Sequence, residues 1–179
     1  MPHIIRMSPA TYTRIWSHLQ NGTAEQVAFA LADITDNSAG IVFDVRDTLL
    51  MGPADVVAQT DDHVALTDEA QGRVIKAAWD RSLALIEFHL HGDARYSAEF
   101  SSLDLQGLDE WVSHVRWRLK GKPYAAIVVA PSDFDALVWQ ADSEAPKELD
   151  VLNVGGHEYR PTGLTMARLR RKHGRRQVS

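Results

Sequence analysis

The sequence predicts an α/β fold in which helices flank a mixed, mostly antiparallel sheet. Apolar residues recur at helical spacing in three segments, and between these segments lie apolar runs with the length and flanking turn residues of strands. Because the strand patterns do not alternate strictly with the helical ones, a sandwich is favoured over a doubly wound parallel fold. The 179 residues, 45% of them hydrophobic, match the size and composition of one domain.

The N-terminal third predicts a helix followed by a β-hairpin. Ser8 and Pro9 are typical of a helix start, with serine as the cap and proline in the first turn, and helical spacing continues toward Gly22. The almost unbroken apolar stretch 27–34 predicts a buried strand. Residues 41–46 alternate between apolar and polar after a turn, which predicts the hairpin partner of that strand.

The rest of the sequence predicts two more helices, three more strands and a polar surface loop. Helix starts, turn residues and periodicity set the expected bounds. The expected elements are a loop over 52–62, a helix over 67–81, a strand over 83–91, a helix over 105–119 and strands over 124–130 and 134–141.

Composition excludes several classes of chemistry. The chain has no cysteine, which excludes disulfides, a cysteine nucleophile and every zinc site with thiolate ligands, including that of the nucleoside deaminases. Any metal must therefore be held by histidine and carboxylate.

The charge is distributed unevenly along the chain. The formal net charge is −5, but residues 167–179 carry six of the 19 basic residues and no acidic one. The other 13 basic residues and the 24 acidic ones give the rest of the chain a formal net charge of −11. We therefore expect an acidic body over 1–160 and a basic, disordered or weakly helical tail over 161–179.

The segment His89-Leu90-His91 is the most informative part of the sequence. Side chains alternate along a strand, so the two imidazoles emerge on one face with roughly 7 Å between their Cα atoms. Asp104 lies at the start of the next predicted helix and can fold back toward the strand end. Two histidines and one aspartate leave a fourth tetrahedral position to water, as in catalytic zinc sites. Without further context the histidines also fit polar residues at a sheet end, and Ser101 with Asp104 fits ordinary helix capping.

Together with an upstream acid, this order of residues resembles the JAB/MPN metalloprotease family. The JAMM motif of that family is a glutamate near the chain start, then His-x-His, a loop and Ser-x-x-Asp. The matching residues here are Glu25, His89, His91, Ser101 and Asp104. The resemblance implies a cytidine-deaminase-like sandwich and a zinc-dependent isopeptidase or peptidase that cleaves after the C-terminus of a ubiquitin-like protein.

The chain departs from the familiar eukaryotic pattern at two points. Leu90 and Gly92 stand where that pattern has Ser or Thr and Pro, and nine residues rather than seven precede the serine. Such looser versions resemble bacterial JAB proteins encoded beside ubiquitin-like modifiers and their activating and conjugating enzymes in antiphage operons. The resemblance therefore implies a ubiquitin-like protein or its conjugates as partners, with the cognate activating and conjugating enzymes as further candidates.

The resemblance also implies a role for each residue. His89, His91 and Asp104 would hold Zn²⁺, Glu25 would act as general acid and base, and Ser101 would donate a hydrogen bond to the oxyanion. Glu25 also fits a solvated residue that flanks a strand. Glu87 has the same strand parity as the two histidines, so it could serve as the base, as a hydrogen-bond partner of a metal ligand, or as neither. Loops over 52–62, 92–100 and 142–150 are candidate walls for an extended substrate tail.

Two other classes of function remain open from the sequence. One is a non-catalytic MPN-like interaction module, which would bind partners without metal. The other is a nucleic-acid-associated protein. It would bind through the Arg-rich tail, because a body with a formal net charge of −11 repels phosphate. Residues 1–7 lack the apolar core of a secretory signal and no apolar run approaches a membrane span, so we expect a cytoplasmic protein with no membrane contact.

Overall fold

A computed structural model describes residues 1–21, 25–37, 40–59, 64–91, 97–141 and 143–176. It shows a mixed α/β fold, which confirms the predicted sandwich of helices on a mostly antiparallel sheet. The strands are β1 His3–Met7, β2 Val27–Asn37, β3 Gly40–Leu50, β4 Val56–Gln59, β5 Val64–Leu66, β6 Ala84–Leu90, β7 Tyr124–Val129, β8 Phe134–Trp139, β9 Lys147–Glu148, β10 Val151–Val154 and β11 His157–Tyr159. The helices are α1 Pro9–Leu19, α2 Asp68–Asp80, α3 Ser102–Arg118 and α4 Leu164–Arg176, with a 3₁₀ turn at Pro53–Asp55.

The main sheet has the strand order β11-β10-β1-β3-β2-β6-β7-β8-β9 over the described ranges. Three of its neighbouring pairs, β10/β1, β1/β3 and β6/β7, are parallel and the other five are antiparallel. Strands β2 and β6 lie at its centre, where Val27 pairs with His89. The sheet therefore places the C-terminal end of β6 beside the N-terminal end of β2.

Each face of the sheet has its own apolar core. Alternation in β2 directs Ala28 and Ala30 to the face covered by α1, and Phe29 and Leu31 to the face covered by α2 and α3. The helices start as their sequences predict: Ser8 accepts a hydrogen bond from the backbone N–H of Thr11, and Thr67 one from that of Ala70. The candidate site lies on the α3 face.

The structure differs from the sequence prediction in its short strands. The segment 52–62 was expected to be a loop, but it contains the 3₁₀ turn and β4, and 60–62 lie outside the described residues. Strands β1, β5, β9, β10 and β11 have no counterpart in the sequence prediction. They have two to five residues each, and β1 pairs in parallel with β10 across almost the whole chain, as in the pair Ile4–Val151. Pairing at such separation leaves no local signature. Helical spacing predicts that Trp79 lies on the apolar side of α2 with Val74 and Ala78, but Trp79 is 48% exposed whereas the other two residues are buried.

The segment expected to be a disordered or weakly helical tail forms α4, and the first turns of this helix pack on the body. Thr165 is fully buried, and its backbone N–H donates to Asp135 Oδ2 at 2.9 Å. Two of its cations form ion pairs with the body, Arg168 with Glu99 and Arg170 with Glu148. Part of the positive charge is therefore neutralised internally. No helix in the described ranges is long and apolar enough to cross a membrane.

Candidate metal centre

The end of β6 brings two imidazoles together. His89 occupies the penultimate position of β6, and the backbone N–H of His91 donates to Val129 on β7 at 2.9 Å. The two rings point to the same face with their centroids 5.2 Å apart, as strand parity predicts. His89 is only 4% exposed and its ring meets the edge of Phe100, whereas 24% of the His91 side chain is exposed.

Asp104 faces both histidines from the start of α3. It forms a capping box with Ser101, in which Asp104 Oδ2 accepts the Ser101 N–H at 2.6 Å and Ser101 Oγ accepts the Asp104 N–H at 3.1 Å. The same Oδ2 atom lies 3.1 Å from His91 Nε2 and 3.9 Å from His89 Nε2. The cap predicted from the sequence therefore also fixes the carboxylate relative to the imidazoles.

His89, His91 and Asp104 have the donors and spacing to hold a metal ion. One ligand atom from each residue can be chosen so that all three lie within 4.8 Å of one another. His89 Nε2 is buried and makes no hydrogen bond, which is costly for an imidazole nitrogen unless another partner occupies that direction. Two imidazole nitrogens and one carboxylate oxygen are a donor set compatible with zinc and leave one tetrahedral position open.

Electrostatics tie the ligands together. Burial by itself lowers the pKa of His89, but the facing carboxylates of Asp104 and Glu87 outweigh it and raise that pKa to about 10. Burial alone would raise the pKa of Asp104, whereas the two histidines and Ser101 hold it far below its usual range. The carboxylate is thus ionised at neutral pH, and a metal must displace a proton from His89 to bind.

Glu25 lies next to this group, two positions before β2. Its side chain is 1% exposed, and Oε1 lies 3.5 Å from Nε2 of His91. Strand parity carries Glu25 to the same face as Val27 and Phe29, toward α3. The structure therefore brings together all five residues of the predicted motif. Ser101 uses a lone pair of Oγ in its cap, so its hydroxyl hydrogen is not consumed by that bond.

Glu87 occupies a different position from Glu25. It faces His89 from the other side of the ring, with Oε1 3.6 Å from Nδ1. Its Oε2 accepts a hydrogen bond from the hydroxyl of Tyr124 at 2.6 Å, and Trp111 Nε1 donates to the same hydroxyl at 2.8 Å. Burial and the neighbouring Glu87 carboxylate raise the pKa of Tyr124 well above its ordinary value, so the hydroxyl keeps its proton.

Sequence reasoning did not assign Tyr124 or Trp111 to the site. Helical spacing predicts a core stripe on α3 that includes Trp111, Val112 and Val115, and the two valines are buried. Trp111 instead lines a pocket. Tyr124 lies within an apolar strand, and its alternation with Val128, which pairs with His89, was the one signal that could have placed it on this face.

The pocket beside His89 and Asp104 has a volume of about 240 Å³. Its walls come from β2, β5, the start of α2, β6 and about the first three turns of α3. They include Val27, Phe29, Val64, Leu66, Leu103 and Trp111. Of the loops predicted as walls, 60–62, 92–96 and 142 lie outside the described residues, and the strand that follows the first of these loops, β5, contributes to the pocket.

The segment that leads into α3 is braced by the C-terminal part of the chain. Phe100 donates its backbone N–H to Thr165 Oγ1 at 3.0 Å, and its carbonyl accepts a hydrogen bond from Arg168. The carbonyl of Ala98 accepts from the Thr162 hydroxyl at 2.8 Å. These contacts hold the approach to Ser101 and Asp104 against the body.

Comparison with known proteins extends to the fold. No protein-family model matches the chain, and no curated protein matches it. The chain is similar in structure to the solution structure of protein DSY2949 from Desulfitobacterium hafniense, a structural genomics target, with a TM-score of 0.51 and 13% sequence identity over 87% of this chain and 99% of that one. At this identity the likeness concerns the fold alone.

Proposed function

We propose that this protein is a zinc-dependent peptidase or isopeptidase of the JAB/MPN type that cleaves the bond after the C-terminus of a ubiquitin-like protein. The observation that carries the proposal is the convergence of Glu25 on the group formed by His89, His91 and Asp104. The segment just before β2, the end of β6 and the start of α3 supply these residues from three separate stretches of sequence. Their order also matches the motif that the sequence resembles.

Each residue has a chemical task in this proposal. His89, His91 and Asp104 hold zinc, which when bound supplies Lewis-acid activation of water. Glu25 accepts the proton from the attacking water and passes it to the departing amine, since its carboxylate lies beside the ligand group. The hydroxyl of Ser101 donates to the carbonyl oxygen as negative charge develops there. The amide is thereby hydrolysed without a covalent enzyme intermediate.

The pocket supports an extended peptide as the substrate. Strand β5 lines the pocket, and over the described residues it pairs with β4 alone, which leaves one strand edge for backbone pairing. The apolar lining from Val27, Leu66 and Leu103 suits the apolar side chains of a narrow C-terminal tail. A tail lying along β5 would bring its terminal amide toward Asp104 and His89.

The test uses fusions in which a ubiquitin-like protein carries a C-terminal extension, taken from candidates encoded near this gene and including ubiquitin itself. We expect wild-type protein with about one zinc per chain to make a single cut after the last residue of the ubiquitin-like protein, measured by intact mass. Glu25→Gln should keep zinc and lose cleavage by about 10²- to 10⁴-fold, the usual contribution of a general base.

Glu110→Gln is the matched control, because it makes the same change at an exposed position of α3 and should cleave normally. Zinc-loaded wild type that cuts none of the fusions would contradict the proposed substrate class. Full cleavage by Glu25→Gln would contradict the proposed base.

A further inference from the structure

Behind His89, three side chains from different elements form a hydrogen-bonded group that the proposed chemistry does not use. Trp111 on α3, Tyr124 on β7 and Glu87 on β6 are joined by hydrogen bonds of 2.8 and 2.6 Å, and we call them the Glu87 network. Tyr124 is fully buried. The Glu87 side chain is only 15% exposed, and a carboxylate so far removed from water is costly unless its oxygens are satisfied, so this arrangement needs a reason beyond packing.

The hydrogen bonds of the Glu87 network have a defined direction. An indole N–H can only donate, so the Tyr124 oxygen accepts from Trp111 and its own hydrogen must go to Glu87 Oε2. Both functions of the hydroxyl are then used. The second carboxylate oxygen, Oε1, is left facing Nδ1 of His89 at 3.6 Å. A carboxylate only accepts, so at this distance Glu87 favours a hydrogen on the imidazole nitrogen that faces it.

The opposite nitrogen of the same ring faces the metal position. His89 Nε2 is buried without a hydrogen bond and lies on the side of Asp104 Oδ2. A histidine binds a metal through an unprotonated nitrogen, and the partner of its other nitrogen decides which one that is. The ring therefore has an acceptor on one side and the ligand group on the other.

We propose that Glu87, oriented by Tyr124 and Trp111, is a positioning residue that keeps the His89 hydrogen on Nδ1 and so presents Nε2 to the metal. The proposal rests on the proposed function to the extent that it takes His89 as a metal ligand. It assigns Glu87 a role different from that of Glu25, which lies beside Nε2 of His91. The two carboxylates that compete in the sequence thus act on opposite sides of the ligand group.

The direction of the network makes substitution by glutamine informative. In Glu87→Gln the amide oxygen must accept from Tyr124, because Trp111 forces that hydroxyl to donate onward. The amide nitrogen then faces Nδ1 and favours the hydrogen on Nε2, where it opposes the metal. In the double variant Glu87→Gln/Tyr124→Phe this constraint is removed, and the amide oxygen is free to turn toward Nδ1.

The experiment measures zinc affinity by competition with a chromophoric chelator, which needs no substrate. Loss of a partner behind a ligating histidine typically weakens metal binding about 10- to 100-fold, and we expect this range for Glu87→Gln. The double variant should bind more tightly than Glu87→Gln. The control Tyr159→Phe removes the same hydroxyl from an exposed tyrosine and should bind zinc as wild type does.

A second readout follows the hydrogen itself. In the zinc-loaded protein, ¹H–¹⁵N spectra should show a protected His89 Nδ1–H that exchanges faster in Tyr124→Phe. Unchanged zinc affinity in Glu87→Gln, or a double variant that binds no better than Glu87→Gln, would overturn the positioning role. Retention of zinc by His89→Ala would instead contradict the proposed metal site. Failure of the metal site is therefore distinguishable from failure of the positioning role of Glu87.

Discussion

The two histidines of the candidate centre lie in opposite environments. The His89 side chain is buried on one face of the sheet, where it contacts the ring of Phe100 and faces the Glu87 carboxylate. His91 follows the end of β6, is partly exposed and faces Glu25 and Asp104. One half of the site thus has its geometry set by neighbouring side chains before any ion arrives, and the other half is accessible to water and substrate. A site that must both hold a metal and admit a reactant needs both environments.

Removing each histidine in turn tests this contrast and should have the largest effect. We expect His89→Ala and His91→Ala each to lose zinc and zinc-dependent cleavage, because each removes one of three ligands. Only His89→Ala should also lower the free energy of unfolding, by about 1–3 kcal/mol, since it empties a buried position and leaves Glu87 facing the space. Metal analysis and urea unfolding of the two purified variants make the comparison. Equal losses of stability would contradict a difference between the two halves.

Ser101 combines a structural role with a proposed chemical one, and its substitution should have the next largest effect. Ser101→Ala removes a helix cap worth about 1 kcal/mol and also the proposed oxyanion donor, so cleavage should fall by about 10²- to 10³-fold. Ser8→Ala is the matched control, because Ser8 caps α1 through the same bond at the same 3.1 Å. It should cost similar stability and leave the cleavage rate unchanged. Similar cleavage rates for the two variants would show that Ser101 acts only as a helix cap.

The third prediction concerns the hydrogen bond by which Thr165 of α4 holds the segment before α3, and a moderate loss of stability is expected when this bond is removed. Thr165→Val keeps the shape of a fully buried side chain but leaves the backbone N–H of Phe100 without its acceptor. An unsatisfied buried donor costs about 1–3 kcal/mol, and we expect a loss of this size in urea unfolding. Hydrogen exchange at the Phe100 amide should accelerate selectively. Protection equal to that in the wild type would show that α4 does not hold this segment.

The smallest expected effect concerns Asp55, which directly precedes β4, the strand that pairs with the pocket-lining strand β5. The backbone N–H of Gly52 and then Arg73 keep the pKa of Asp55 below its ordinary value. A carboxyl whose folded-state pKa is lowered stabilises the fold above its unfolded pKa, and that contribution disappears as the pH falls through the lower, folded pKa. Asp55→Asn should therefore be less stable than wild type at neutral pH, with the difference shrinking in acid. A difference independent of pH between 7 and 3 would contradict this origin.

The part of the site that sequence could predict is the part that local periodicity controls. Strand parity placed His89 and His91 on one face, and the Ser-x-x-Asp pattern placed Asp104 in the first turn of α3. The Glu87 network depends on three elements that meet only in the folded sheet, and neither Tyr124 nor Trp111 carries a local mark of that meeting. The coarse fold followed from hydrophobic patterns for the same reason.

The missed elements share a physical cause. Strands of two to five residues, such as β9 and β11, bury too little apolar surface to show a period of two. Helix α4 contains several cations, which by composition indicate a solvated segment. Its docking depends on buried side chains such as Asp135 and Thr165, and on ion pairs of Arg168 and Arg170 with acids far away in sequence.

The contacts between the approach to α3 and the start of α4 also impose an order in time. Phe100 and Thr165 are 65 positions apart, so a chain emerging from the ribosome exposes both histidines and Asp104 well before the residues that brace their segment. Until those residues appear, the backbone of Phe100 remains hydrated and the segment before Ser101 is not held. The hydrogen bond between Phe100 and Thr165 can therefore form only after the strands at the centre of the sheet have been synthesised.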